Sequence, residues 1–190
     1  MARGENVAID EHSALERVDR HQRAVEAAPD SAACHLNLGT ALLRAGRLQQ
    51  AEQALRKAIG LDPSLARAHV NLGGILLSRW DFRGCIEANR AASACSPDMV
   101  EAHYNEGLGH LYLGEPDAVV ACFRRVLELD PRHAGGHYYL AVGLLACGDV
   151  QGSREHVAIA TELGFSPQPD FLKALEKAEN EPVPVLEIGG

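Results

Sequence analysis

Long apolar runs are missing from this sequence. No stretch of 18 apolar residues occurs in its 190 residues, so no segment reads as a membrane-spanning helix. The start, Met1-Ala2-Arg3-Gly4-Glu5-Asn6, lacks the apolar core of a signal peptide. An excess of positive charge is missing too: the formal net charge of -8 argues against a nucleic-acid binder, which would normally show a basic face. Cysteine is sparse and unpaired in pattern. Cys34, Cys85, Cys95, Cys122 and Cys147 form no CxxC pair, and their odd number at helical positions points to reduced, mostly buried thiols in a cytoplasm. Catalytic signatures are equally missing, with no GxSxG elbow, glycine-rich phosphate loop or HExxH. A Cys/His pair can always be picked from five cysteines and nine histidines, so such a pair carries no weight. The expectation is a non-enzymatic chain that needs neither cofactor nor metal.

What is present is a period. Cys34-His35-Leu36-Asn37-Leu38-Gly39 is rewritten as Ala68-His69-Val70-Asn71-Leu72-Gly73 and as Ala102-His103-Tyr104-Asn105-Glu106-Gly107, then loosely as Gly136-His137-Tyr138-Tyr139-Leu140-Ala141. Each histidine lies 34 residues after the last, and Pro29, Pro63, Pro97 and Pro131 keep the same step. A fixed period of that length predicts stacked helix–turn–helix units, each burying its apolar face against its neighbours around no central core.

Residues 1–11 read as a disordered leader, and a helix over 12–28 as a half-repeat capping the stack. Four repeats follow over 29–62, 63–96, 97–130 and 131–165, each stopped at its proline or, in the fourth, at Gly164-Phe165-Ser166-Pro167. Gly46, Gly114 and Gly148 are expected to turn the chain between helices. In repeat two Trp80 stands there instead, either as an edge contact for a partner or, preferably, as a lid over the neighbouring turn. Residues 168–180 read as an amphipathic capping helix with Asp170 as N-cap and Phe171, Leu172 and Leu175 facing the stack. Residues 181–190, with Pro182 and Pro184, read as an extended, unusually apolar tail able to dock on a partner or a second copy of the chain.

Leu38, Gly39, Ala51, Leu55, Ala58 and Pro63 of repeat one, with Gly107, Phe123, Leu127, Asp130 and Pro131 of repeat three, resemble the tetratricopeptide repeat signature over nearly all of residues 12–180. The resemblance implies an all-α, right-handed superhelical solenoid that binds protein segments in a concave groove. Departures are the histidine in place of the usual aromatic in all four repeats, Trp80 in place of glycine, and Asn89 at a normally small position.

In that register the first helix of each repeat offers Asn37, Asn71, Asn105 and then Tyr139 at one groove position. An asparagine amide can pair with a peptide unit in both directions, and such a series is similar to the asparagine ladder of the O-linked N-acetylglucosamine transferase superhelix. Simple solvation of the asparagines is the alternative. The remaining groove candidates are Thr40, Leu108, Arg44 and Arg67, and the tyrosines Tyr104, Tyr112 and Tyr138. Tyrosine is favoured at binding hot spots. Only Arg67 and Arg44 supply positive charge there, so the carboxylate clamp of some family members is not reproduced.

The repeated histidines His35, His69, His103 and His137 do not read as a metal site. Equivalent residues of stacked helices lie about 8–10 Å apart, whereas zinc ligands converge to about 2 Å from one ion. Packing, with a ring nitrogen bonded to a neighbouring carbonyl, fits them better; His110 and Cys122 are incidental candidates. The functional expectation is a cytoplasmic scaffold or assembly adaptor holding an extended or helical segment of a partner protein, without nucleic acid or membrane insertion. A constitutive, non-catalytic subunit of a larger enzyme complex is the alternative, and a metal or redox carrier a distant third.

Overall fold

A computed structural model describes residues 2–180, with side chains from residue 14 onward. Among the described residues the chain is all-α: α1 (Ala2–Ala27), α2 (Ala32–Arg44), α3 (Leu48–Leu61), α4 (Ala66–Ser78), α5 (Phe82–Cys95), α6 (Val100–Leu113), α7 (Pro116–Leu129), α8 (Ala134–Ala146), α9 (Val150–Glu162) and α10 (Pro169–Asn180). These are the four helix pairs of the 34-residue repeat, flanked by one helix on either side. The expected tail and its docking fall outside the described residues. Two compact units divide the chain, Met1–Glu106 and Gly107–Gly190, with the boundary inside α6.

In the first unit α1 begins well before His12, so the expected leader is helical backbone. Residues 5–28 hold neither glycine nor proline, and nothing in them stops a helix once formed. Val18 of α1 is buried with Leu38, Ala41 and Leu42 of α2 and Ala51, Leu55 and Ala58 of α3. Ser31 caps α2 by accepting from the Cys34 backbone N–H (3.3 Å). Asp81 caps α5 in the same way, accepting from the Gly84 N–H at 2.9 Å. Between repeats, the Asp62 carboxylate accepts from the hydroxyl and backbone N–H of Ser64, which holds its pKa below the usual carboxylate value.

Close approach explains the repeated glycine of the first helices. A Cβ on Gly73 would lie 2.1 Å from Asn89 Nδ2. Asn89 itself is wholly buried and donates to the Cys85 carbonyl (2.8 Å), while its Oδ1 has no partner. The unusual asparagine is thus tolerated because its donor end bonds back along α5.

The turns repeat one hydrogen-bond pattern with one exception in residue type. After α2, Gly46 sits at φ 71, and the N–H groups of Gly46 and Arg47 close on the carbonyls of Leu43 and Leu42. After α4, Trp80 sits at φ 65 and makes the equivalent closure with Asp81 onto Leu77 and Leu76. A left-handed conformation costs a residue with a Cβ about 1–2 kcal/mol. The indole is 73% exposed, with Phe82 edge-on at 5.9 Å. An exposed ring cannot be the lid expected from the sequence.

In the second unit α7 opens with Pro116 in its first turn, as expected of a residue whose missing N–H is not needed there. α8 is packed nearly all round. Tyr138, 5% exposed, stacks on Phe165 at 4.5 Å and meets Phe171 edge-on at 5.3 Å, over a cluster with Ala141, Val157, Ala160 and Leu175. Phe165 stands where the other repeats have their closing proline, so the broken pattern supplies a ring for this cluster. The capping helix starts at Pro169, one residue before the expected cap. Asp170 therefore lies inside its first turn, paired with Lys173 (3.3 Å). Leu175 is buried and Phe171 half-buried as expected, but Leu172 is 43% exposed. Three residues past Phe171's neighbour, Leu175 takes the inward position of that helical face.

Candidate functional site

The 34-residue histidine series resolves into one repeated contact. Nε2 of His35, His69, His103 and His137 lies 2.8, 2.9, 2.9 and 3.1 Å from the carbonyl oxygens of Pro29, Pro63, Pro97 and Pro131. A carbonyl only accepts, so each Nε2 carries the proton, a tautomer assigned from the hydrogen-bond pattern. The ring pins the turn between repeats to the first helix that follows. At His137 a second contact joins: its Nδ1 lies 2.9 Å from Nδ1 of His156, and the two rings stack at 5.1 Å. With Nε2 of His137 donating to Pro131, its Nδ1 accepts and His156 donates. Burial first, then the His137 ring, pushes the His156 pKa below the usual histidine value.

The asparagines of the first unit lie on successive first helices. Asn37 is exposed, and among the described residues its side chain makes no hydrogen bond. Asn71 is half-buried and donates through Nδ2 to Thr40 Oγ1 (3.1 Å), while Thr40 donates to the Leu36 carbonyl (2.9 Å). Asn105 is half-buried; its backbone carbonyl accepts from Cys85 Sγ at 3.4 Å. Arg67 pairs with Glu101 at 3.3 Å, both well exposed, so its charge is already shared. Tyr104 and Leu108 are half-buried.

The tyrosine set divides. Tyr112 is 55% exposed and open to contact. Tyr139 is half-buried, stacked on Phe123 at 5.3 Å. Tyr138 belongs to the aromatic cluster beneath α10 and offers no surface to a ligand. A spacing argument assigns Tyr138 to a groove position. It does not reveal that Phe165 and Phe171 cover that position.

A cationic cavity of about 230 Å³ between α1 and α2 was not legible from the repeat pattern. Arg17, His21, Asn37, Thr40 and Arg44 line it together with Ala14 and Ala41. Residues 14, 17 and 21 share one face of α1, and 37, 40, 41 and 44 share one face of α2. The signal existed as two basic residues spaced four apart on α1, outside the repeats and so outside the groove register.

The thiols are free in all five cases, but they are not mostly buried. Cys85 is buried, Cys34 and Cys122 are intermediate, and Cys95 and Cys147 are exposed. Burial pushes the Cys85 thiol up to about 11, against the opposing hydrogen bond from Asn89. It therefore stays protonated near neutral pH and is no nucleophile. The second helices carry alanine and cysteine on more than one face, and spacing alone did not tell inward from outward. No described helix is long and apolar enough to cross a membrane.

Two family models described as tetratricopeptide repeat match residues 19–66, 36–100 and 100–133, together more than half of the chain. The chain belongs to the tetratricopeptide repeat family. Curated proteins offer no match to its sequence. Solved structures share the fold of this tetratricopeptide repeat chain at low identity. MamA 41-end from Desulfovibrio magneticus RS-1 is 20% identical, TM-score 0.73, covering 85% of this chain and 92% of that one. Pseudomonas aeruginosa pilF is 21% identical, TM-score 0.74, covering 95% and 87%. YrrB, described as a TPR protein with an unusual peptide-binding site, is 19% identical, TM-score 0.70, covering 92% and 88%.

Proposed function

We propose that this chain is a cytoplasmic protein-interaction module that holds an extended segment of a partner along the asparagine-bearing faces of α2, α4 and α6. The observation that carries the reading is Asn37. It is exposed, it has no hydrogen-bond partner among the described residues, and it stands in register with Asn71 and Asn105. A solvated asparagine needs no fixed spacing, whereas a peptide backbone needs amides at regular intervals, each able to donate and accept. Asn71 keeps its Oδ1 acceptor for a ligand N–H while Thr40 fixes its orientation. Family membership favours a protein or peptide ligand, and the peptide-binding site named for YrrB is a precedent on the same fold. Tyr104 and Arg67 complete the contact set within the first unit, and Tyr138 drops out because it is buried.

Selection of peptides from a random 12-residue library on the immobilised full chain supplies ligands for the test. Asn71→Ala together with Asn105→Ala is expected to weaken them by about 1–3 kcal/mol, the cost of leaving polar groups unpaired, with an unchanged melting temperature. Full affinity in a folded double variant removes the groove from the reading.

A further inference from the structure

We infer that His137 of α8 and His156 of α9 form a binding site for a divalent cation that favours imidazole, zinc above all, between the two helices of repeat four. The two Nδ1 atoms lie 2.9 Å apart, joined by one proton, and the rings are inclined by 30°. Two imidazole nitrogens on one tetrahedral zinc, each at about 2.0–2.1 Å, stand about 3.3 Å from one another. The pair is therefore within a few tenths of an ångström of a ligand edge, and a cation in the proton's place uses the same two nitrogens. The pairing is particular to this repeat. Steps of 34 residues back from His156 reach Cys122, Ala88 and Ala54, so the first two repeats keep the histidine–carbonyl contact but have alanine in place of the second ring. The spacing that rules out the histidine ladder as a metal site does not apply to one member of it and a partner from the following helix.

The surroundings are those such a site needs. Nε2 of His137 donates to the Pro131 carbonyl at 3.1 Å, which fixes the ring and leaves Nδ1 as the acceptor. A carbonyl behind the outer nitrogen is the usual device for orienting a metal-binding histidine. His137 is 7% exposed and held, whereas His156 is only half-buried. The terminal torsion of a histidine ring is soft. His156 can therefore turn toward the ion while the proton on its Nδ1 leaves and another from solvent takes Nε2. No net proton is lost near neutral pH, because burial and the His137 ring already favour the neutral form of His156. The carboxylates of Glu155 and Asp149 act on the His156 ring with favourable sign, and the Arg124 guanidinium opposes them. Solvent at the half-buried ring supplies water for the two remaining positions of a tetrahedral ion.

The test titrates zinc chloride into the uniformly ¹⁵N-labelled full chain at neutral pH and follows the histidine ring nitrogens by NMR. The Nδ1 resonances of His137 and His156 are expected to shift together and saturably, with the rings of His35 and His69 unmoved over the same range. Magnesium chloride, an ion that prefers oxygen ligands, should leave all four unchanged. His156→Gln, a change at a half-buried position, should weaken the zinc response of His137 at least tenfold. Cys122→Ser should leave the shifts of His137 and His156 as they are, which separates the pair from zinc taken up by that thiol. Zinc should also raise the melting temperature of the wild-type chain, and His156→Gln should lose that rise. The proposal is overturned by the lack of a saturable shift at His137 and His156, by equal shifts at His35 and His69, or by undiminished zinc binding at His137 in a folded His156→Gln chain. None of these outcomes touches the Asn71 and Asn105 test, so the groove reading stands or falls separately.

Discussion

The first helices of repeats one and four, α2 and α8, carry the same histidine and the same register, yet they do opposite things. On α2, four residues are buried and Asn37 is left exposed. On α8, eight are buried, and the tyrosines at the corresponding positions are packed among Phe165, Phe171 and Phe123. The repeat fixes where a side chain points; what lies opposite decides whether it stays exposed or holds the fold. Register alone is therefore a guide to direction and a poor guide to role.

The largest effect should come from Tyr138→Ala. Removing a buried ring that touches two others is expected to cost about 3–5 kcal/mol, read as a drop in the urea midpoint. Asn37→Ala on α2, one position further along the repeat, is the contrasting change and should move it by less than about 0.5 kcal/mol. Comparable losses at the two sites would erase the distinction.

A second pair of equivalent positions, Gly46 and Trp80, tests whether the repeats share one turn. Trp80→Gly should stabilise the fold by about 1 kcal/mol, because a glycine adopts the left-handed conformation without a Cβ clash. A loss of stability would mean that the edge contact of the indole with Phe82 outweighs the strain.

The third comparison is in pH. His156 of repeat four faces His137, while repeat one has Ala54 at the equivalent position. A histidine whose folded pKa is lowered binds protons more readily unfolded than folded. Its stabilising effect is complete above the ordinary histidine value, about 6.5, and declines as pH falls below it. His156→Gln should flatten that part of the stability curve, and Ala54→Gln should not change its slope. An equal slope in the wild-type chain and His156→Gln would remove the histidine pair from the account.

The 34-residue step, the helix pairs, the proline stops and three of the four inter-helix turns were legible because each rests on local chemistry: a missing N–H, a left-handed glycine, an apolar stripe. The hydrogen bond of each histidine to a carbonyl was legible for the same reason. Three things were not. Helix α1 starts early because nothing stops it, and an absent signal is hard to read. Tyr138 is buried by Phe165, whose partner lies 27 residues away in sequence, too far for any periodicity to connect. Arg17 and His21 reach the groove face from a helix outside the repeat, where the family register assigns no role.

The histidine–proline contact bears on how such a chain can grow. Donor and acceptor lie six residues apart, so each joint is encoded entirely within the segment that crosses it. A cut between Leu61 and Asp62, repeated one period later, yields a block of sequence that carries its own hinge pin and its own socket. Copying or excising that block inside the array leaves every remaining joint complete, with no compensating change elsewhere. Gene duplication within the array therefore needs no accompanying repair, and a designed chain with an extra block should fold with one more histidine on one more proline carbonyl.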